Sequence, residues 1–289
     1  MKGWFLSLCA IELVVGSIPA LATCSPVPGA DQIWSRPTLR WVFVGELHGS
    51  NEAPAAFLDL VCDALARGRR VTVALERPTS EQPALDGIPD GKDVDAAKEA
   101  LLGQPGWRDG MDGRASEAML RLLLAIRELR RSYPSLTVAA FDAPAAGNAP
   151  GARDEAMGHA LLGLGKADSA SLILILTGNV HGMEEPLFGY EFAAMYLPPE
   201  QRLSLEVTDE GGRSWTNSNG GCGAANGGVG DKGAKRPRGI YLEPSLAPYG
   251  KVDGVLALGV QLTASDPAAG IPSPVPACRV KFLQQIQGR

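Results

Sequence analysis

Four short runs rich in β-branched and aliphatic residues, Leu39–Val44, Val71–Leu75, Leu136–Phe141 and Leu172–Leu176, constrain this chain more than any other feature. Each is almost continuously apolar, so each predicts a strand covered on both faces. Helical patterns lie between or beside them, at Ala53–Ala66, Val94–Leu102, Ser116–Arg131 and Arg153–Leu164. In Ser116–Arg131 the apolar positions Met119, Leu122, Leu123, Ile126 and Leu129 fall on one face. Strands alternating with helices predict an α/β fold with a mainly parallel central sheet flanked by helices.

The amino terminus reads as an export signal. Lys2 supplies a basic start, Phe5 to Val15 an apolar run, and Ala20-Leu21-Ala22 a small-x-small cleavage site, so residues 1–22 are expected to be removed and the mature chain to begin near Thr23. Glu12, Gly16 and Pro19 interrupt the run, which predicts no membrane span after cleavage. The expected location is periplasmic or secreted. Cys24 offers a rival reading as a lipid-modified residue, weakened by Thr23 just before it.

Residues 23–289 read as a single α/β domain. Four cysteines remain in it, Cys24, Cys62, Cys222 and Cys278, and an exported chain can pair them. Cys62 sits on a helix face beside Leu58 and Leu65 and reads as a buried free thiol, while Cys222 with Cys278 is the favoured pair. After about Gly182 the chain changes character. Ser204–Val207 and Gly254–Leu258 predict further strands, but Gly211–Gly239 is crowded with Gly, Asn and Ser and reads as a surface loop. No Walker loop and no strand–GxGxxG–helix unit is present, and a formal charge of −5 argues against nucleic acid as a partner. The expected partner is a small-molecule or peptide substrate.

The residues just past the end of each strand carry the chemistry. The first strand runs into Gly45-Glu46-Leu47-His48-Gly49, the second ends at Glu76-Arg77, the third at Asp142, and the fourth runs into Gly178-Asn179-Val180-His181-Gly182. Parallel strands end along one edge, where ligands bind in open α/β sheets. Two of the chain's three histidines therefore arrive with Glu46, Glu76 and Asp142 at one place. Both histidine turns have the form apolar strand, Gly, two residues, His, Gly. His159 lies inside a helix and reads as a surface or packing residue. Asp142 reads equally as a turn former or a site residue, and Glu52 as a carboxylate in a helix's first turn. Arg153 starts a helix, an unfavourable end for a cation, which points to an ion pair with Glu46 or Glu76. Arg114 and Ser116 read as residues that cap and position the helix carrying Met119.

Phe43-Val44-Gly45-Glu46-Leu47-His48-Gly49-Ser50-Asn51-Glu52-Ala53-Pro54, Val73-Ala74-Leu75-Glu76-Arg77 and Asp112-Gly113-Arg114-Ala115-Ser116-Glu117-Ala118-Met119 resemble successive motifs of the erythromycin esterase/ChaN-like/Tiki superfamily. Arg153-Asp154-Glu155-Ala156-Met157, Thr177-Gly178-Asn179-Val180-His181 and Asp253-Gly254-Val255-Leu256-Ala257-Leu258-Gly259 continue the resemblance in order. It implies Glu46, His48, Glu76 and His181 as site residues, with Arg153 as a supporting cation. It also implies divergent activities: macrolactone hydrolysis, metal-dependent proteolysis, and haem or iron uptake. The long helical insertions expected of erythromycin esterases are missing.

The residues support a hydrolase in which Glu46 and His48 activate water on an ester, lactone or peptide. Glu46, His48, Glu76 and His181 form a candidate set for Zn, Mn or Fe, or else act without metal as acid, base and oxyanion stabiliser. The alternative is an exported haem- or iron-binding protein with one histidine as axial ligand. No Gly-x-Ser-x-Gly elbow or His-Glu-x-x-His helix is present.

Overall fold

The computed structural model describes residues 24–90, 93–109, 112–187, 189–218, 221–227 and 235–271; residues 1–22, expected from the sequence to be an export signal, lie outside them. Seven strands form the main sheet: β1 (Trp41–Glu46), β2 (Arg70–Pro78), β3 (Thr137–Asp142), β4 (Ser171–Gly178), β5 (Arg202–Thr208), β8 (Gly239–Tyr241) and β9 (Gly254–Ala257). Their order across the sheet is β3-β2-β4-β1-β5-β9-β8. All pairings are parallel except β8 with β9 at one edge. The fold is α/β, as the alternation predicts, and the six predicted strands all form.

The pleat sorts side chains onto two faces. Val42, Val44, Val73, Leu75, Leu172, Leu174 and Leu176 meet α2 (Glu52–Ala66) and α6 (Glu117–Ser132) through Phe57, Leu60, Leu122 and Ile126. Trp41, Phe43, Ala74, Ile173 and Ile175 meet Met157 and Leu161 of α7 (Ala152–Ala167) on the other. Short helices α1 (Asp31–Trp34), α3 (Gln82–Asp90), α4 (Val94–Leu102) and α5 (Pro105–Arg108) complete the helical layers. Among the described residues no helix is long and apolar enough to cross a membrane.

Two expectations are corrected. Cys62 is not a free thiol: it is bonded to Cys24, which ties the segment before α1 to α2 and occupies the sulfur a lipid would need. Cys222 is also in a disulfide, and Cys278 lies outside the described residues. The Gly-rich stretch is not simply a loop. It holds an antiparallel hairpin, β6 (Arg213–Ser218) with β7 (Gly221–Asn226), whose ladder pairs Trp215 with Ala224. Backbone hydrogen bonds hold that ladder, so it needs no alternating apolar pattern to form.

Candidate active site

The strand ends deliver their residues to one edge. The two histidine turns touch: a Cβ on Gly45 would lie 2.7 Å from Cα of Asn179, so only a glycine lets the second turn pass over the first. At Gly178 a Cβ would lie 3.2 Å from His48 Nε2, 3.4 Å from Glu76 Oε2 and 3.5 Å from His181 Cδ2. Both histidines and Glu76 therefore face one small space beside Gly178. The first turn is held from behind by Gly49, whose carbonyl accepts from the backbone N–H of both Trp215 and Ser265.

Glu76 is the hub. Its Oε2 accepts from Thr177 Oγ1 at 2.9 Å and Gly178 N at 2.7 Å and lies 3.2 Å from His48 Nε2. Its Oε1 accepts from Arg153 Nη2 at 2.7 Å and Arg114 Nη1 at 3.0 Å. Burial alone would raise this carboxyl, but the His48 imidazolium and the Arg114 guanidinium outweigh it and hold Glu76 well below the usual carboxylate range. The adjacent Arg77 points to the opposite face, where it pairs with Glu81 and stacks over Trp107.

His48 lies between two carboxylates, with Nδ1 3.1 Å from Glu46 Oε1 and Nε2 3.2 Å from Glu76 Oε2. Burial works against its charged form, yet Glu76 and the bond to Glu46 prevail and push it up to about 10. At neutral pH it is an imidazolium with both N–H groups engaged. Its side chain is only 20% exposed, so truncation to Ala leaves buried carboxylates unpaired and costs stability. Glu46 is 2% exposed and raised above the ordinary glutamate value, because burial outweighs the His48 hydrogen bond. Its Oε1 faces His48, while Oε2 is buried with no hydrogen-bond partner among the described residues.

His181 is held differently. Nδ1 is 2.6 Å from Asp154 Oδ1, which also accepts from Ala193 N, and Nε2 is 3.1 Å from Arg153 Nη1. A guanidinium can only donate, so Nε2 accepts there and Nδ1–H donates to Asp154. Arg153 thus pairs with Glu76, as its helix-start position predicts, and with Asp142 rather than Glu46. Asp142 lies beside these residues, accepting from Arg153 Nε at 3.0 Å. Ser116 caps α6, accepting from Met119 N, but Arg114 does not cap: it reaches Glu76, Asp112 and Asp142. His159 is outside the site, edge-on to Tyr196. Glu52 opens α2 and accepts from Thr263 N.

Sequence reasoning gave no role to Asp154, Thr177 or Glu206. Asp154 and Thr177 sit inside recognised motifs next to Arg153 and Gly178, and that adjacency was the available signal. Glu206, buried at the end of β5, accepts from Asn179 Nδ2 at 3.4 Å and Tyr249 N at 3.2 Å and so braces the second histidine turn. Nothing in the local pattern marks it.

The four metal candidates converge, but as arranged they do not fit a metal. Both His48 nitrogens face carboxylates, His181 Nε2 faces Arg153, and both Glu76 oxygens are taken by N–H and O–H donors. Among the described residues no group of three or more His, Cys, Asp or Glu could hold a metal ion. An axial haem ligand needs a free imidazole nitrogen, and neither histidine has one.

No protein-family model matches the chain, and no curated protein does. Solved structures do. A His-to-Asn mutant of the erythromycin esterase EreC in its open conformation aligns with a TM-score of 0.63 at 10% identity, over 81% of this chain and 94% of that one. A succinoglycan biosynthesis protein aligns at 0.53, with 10% identity over 81% and 86% of the two chains. A Bacillus cereus protein aligns at 0.51, with 11% identity over 81% and 91%. The chain has the fold of these structures, which agrees with the resemblance read from its motifs.

Proposed function

We propose that this chain is an exported hydrolase that cleaves an ester, lactone or peptide bond by acid–base chemistry at Glu46, His48 and Glu76. The observation that carries the reading is Glu46 Oε2, a buried carboxylate oxygen with no hydrogen-bond partner beside a histidine held as its imidazolium. A carboxylate raised above its ordinary value is a better base near neutrality, and burial produces that shift. Water on Oε2 gives its proton to Glu46 as its oxygen attacks the acyl carbon. The oxyanion forms beside His48 and Arg153, one of whose Nη1–H groups is left over after its bonds to His181, Glu76 and Asp142. As the tetrahedral intermediate collapses, Glu46 passes that proton to the leaving oxygen or nitrogen and returns to its carboxylate, while His48, with its N–H groups on Glu46 and Glu76, stays charged. Glu76 keeps His48 charged and oriented.

The Cys24–Cys62 bond supports export, since such bonds persist in oxidising compartments. The test is turnover by the chain beginning at Thr23 on a panel of esters, lactones and peptides. Glu46→Gln and His48→Gln each keep the side chain's bulk and are expected to lose about 100- to 10,000-fold in kcat/KM. Full turnover in a folded Glu46→Gln protein would remove Glu46 as the base.

A further inference from the structure

Arg153 comes from the first turn of α7, where the helix dipole disfavours a cation. What it meets there is a set of ligand-type atoms. Nε is 3.0 Å from Asp142 Oδ1, Nη2 is 2.8 Å from Asp142 Oδ2 and 2.7 Å from Glu76 Oε1, and Nη1 is 3.1 Å from His181 Nε2. These atoms arrive from three elements: the end of β3, the end of β2 and the turn after β4. Two carboxylates and an imidazole are donors that Zn, Mn and Fe accept. Behind His181 the support typical of a metal-bound histidine is also in place, with Nδ1 on the Asp154 carboxylate.

We propose that Arg153 is a tethered cation holding the place of a divalent metal among Glu76, Asp142 and His181, so that the native chain is closed to metal and removing the guanidinium opens the set to one. The physical reason is competition for lone pairs. A guanidinium stays protonated in proteins, so its N–H groups never release these acceptors. It satisfies four acceptor atoms with one positive charge and needs no ion from solution. Taking it away leaves Glu76 Oε1 and the Asp142 carboxylate with Arg114 as their remaining guanidinium, while Glu76 Oε2 keeps Thr177, Gly178 and His48, and it removes the donor from His181 Nε2. A divalent cation then restores the lost charge. Because the test reads binding rather than turnover, it stands or falls separately from the hydrolytic reading.

The experiment titrates Co²⁺ into the purified chain, following its visible spectrum and heat of binding. Native protein and Arg153→Lys, which keeps a cation in place, are expected to show no His181-dependent binding. Arg153→Ala and the bulkier Arg153→Gln are expected to bind one Co²⁺ at least about tenfold more tightly than the native chain, a difference of about 1.4 kcal/mol. Both should melt at higher temperature with Co²⁺ than without it. Adding His181→Ala to either should return binding to the native level. Stoichiometric, His181-dependent Co²⁺ on the native chain overturns the proposal. So does a folded Arg153→Ala or Arg153→Gln protein that binds no more tightly than native. Failure of both variants to gain any melting temperature when Co²⁺ is present also counts against it.

Discussion

The two histidine turns share one sequence pattern, yet the protein gives their histidines opposite surroundings. His48 has a carboxylate at each ring nitrogen and is held as an imidazolium. His181 has a carboxylate on one side and a guanidinium on the other, so one nitrogen donates and the other accepts. The turn decides where a histidine arrives; what it can do there is decided by the elements that arrive beside it. For His48 those are its own turn and β2. For His181 they are α7 and, through Asn179, the end of β5. A repeated motif is therefore no argument for repeated roles.

Glu76 joins the two turns, and its removal should have the largest effect of any single change. Glu76→Gln keeps the shape but takes the negative charge from beneath His48, Arg114 and Arg153. The expected outcome is a loss of about 3–5 kcal/mol in denaturant unfolding, the cost of leaving buried charges without their partner, together with loss of turnover. A variant that unfolds within about 0.5 kcal/mol of the native chain would mean that the turns do not depend on a common partner.

A smaller effect comes from the pH dependence of the first turn. His48 is raised in the folded chain from its ordinary 6.5 to about 10, so the proton is bound more tightly when folded. Its contribution to stability is complete below about pH 6.5 and is lost as pH rises through about 10. The gap in melting temperature between the native chain and His48→Gln should be widest near pH 6 and narrow steadily toward pH 10. A gap that stays constant across that range would show that His48 is not the imidazolium drawn from its two carboxylates.

The sheet was legible because its strands are buried on both faces and so carry their signal in every residue. The meeting of the two histidines was legible for a related reason: parallel strands end on one edge, and the turns begin where β1 and β4 stop. The partners were not. Asp154 and Arg114 reach the site from a helix start and a loop, where side-chain direction depends on packing rather than on periodicity. The cations beside the candidate ligands were not legible either, since counting donors does not show which guanidinium reaches them. In the hairpin of β6 and β7 the ladder is made mostly by Ser, Thr, Asn, Gly and Ala, with Trp215 as its one large apolar residue, which gives no alternation to read. The Cys24–Cys62 bond joins a segment to a helix that hydrophobic pattern alone makes look complete without it.

The smallest perturbation separates the turns most cleanly, and it uses their glycines. Gly178 has φ −61° and ψ 142°, a conformation any residue adopts, so alanine there strains no backbone. Its methyl group would enter the space between His48 Nε2, Glu76 Oε2 and His181 Cδ2, at 3.2, 3.4 and 3.5 Å, and His48 must give way by a few tenths of an ångström while the other two contacts stay ordinary. The backbone N–H that bonds Glu76 Oε2 is kept. Gly178→Ala should therefore unfold within about 1 kcal/mol of the native chain while kcat/KM falls about tenfold, since misplacing reacting groups by ~1 Å costs about 100-fold and this shift is smaller. Gly45→Ala makes the contrast. Its methyl group would lie 2.7 Å from the Asn179 Cα, which is backbone and cannot rotate aside, so stability should fall together with turnover. Measuring unfolding and kcat/KM for both variants distinguishes a space that reacting atoms use from a contact that only holds the turns together. Unchanged turnover in Gly178→Ala would move the reaction away from the space between the histidines and leave Gly178 as a packing residue.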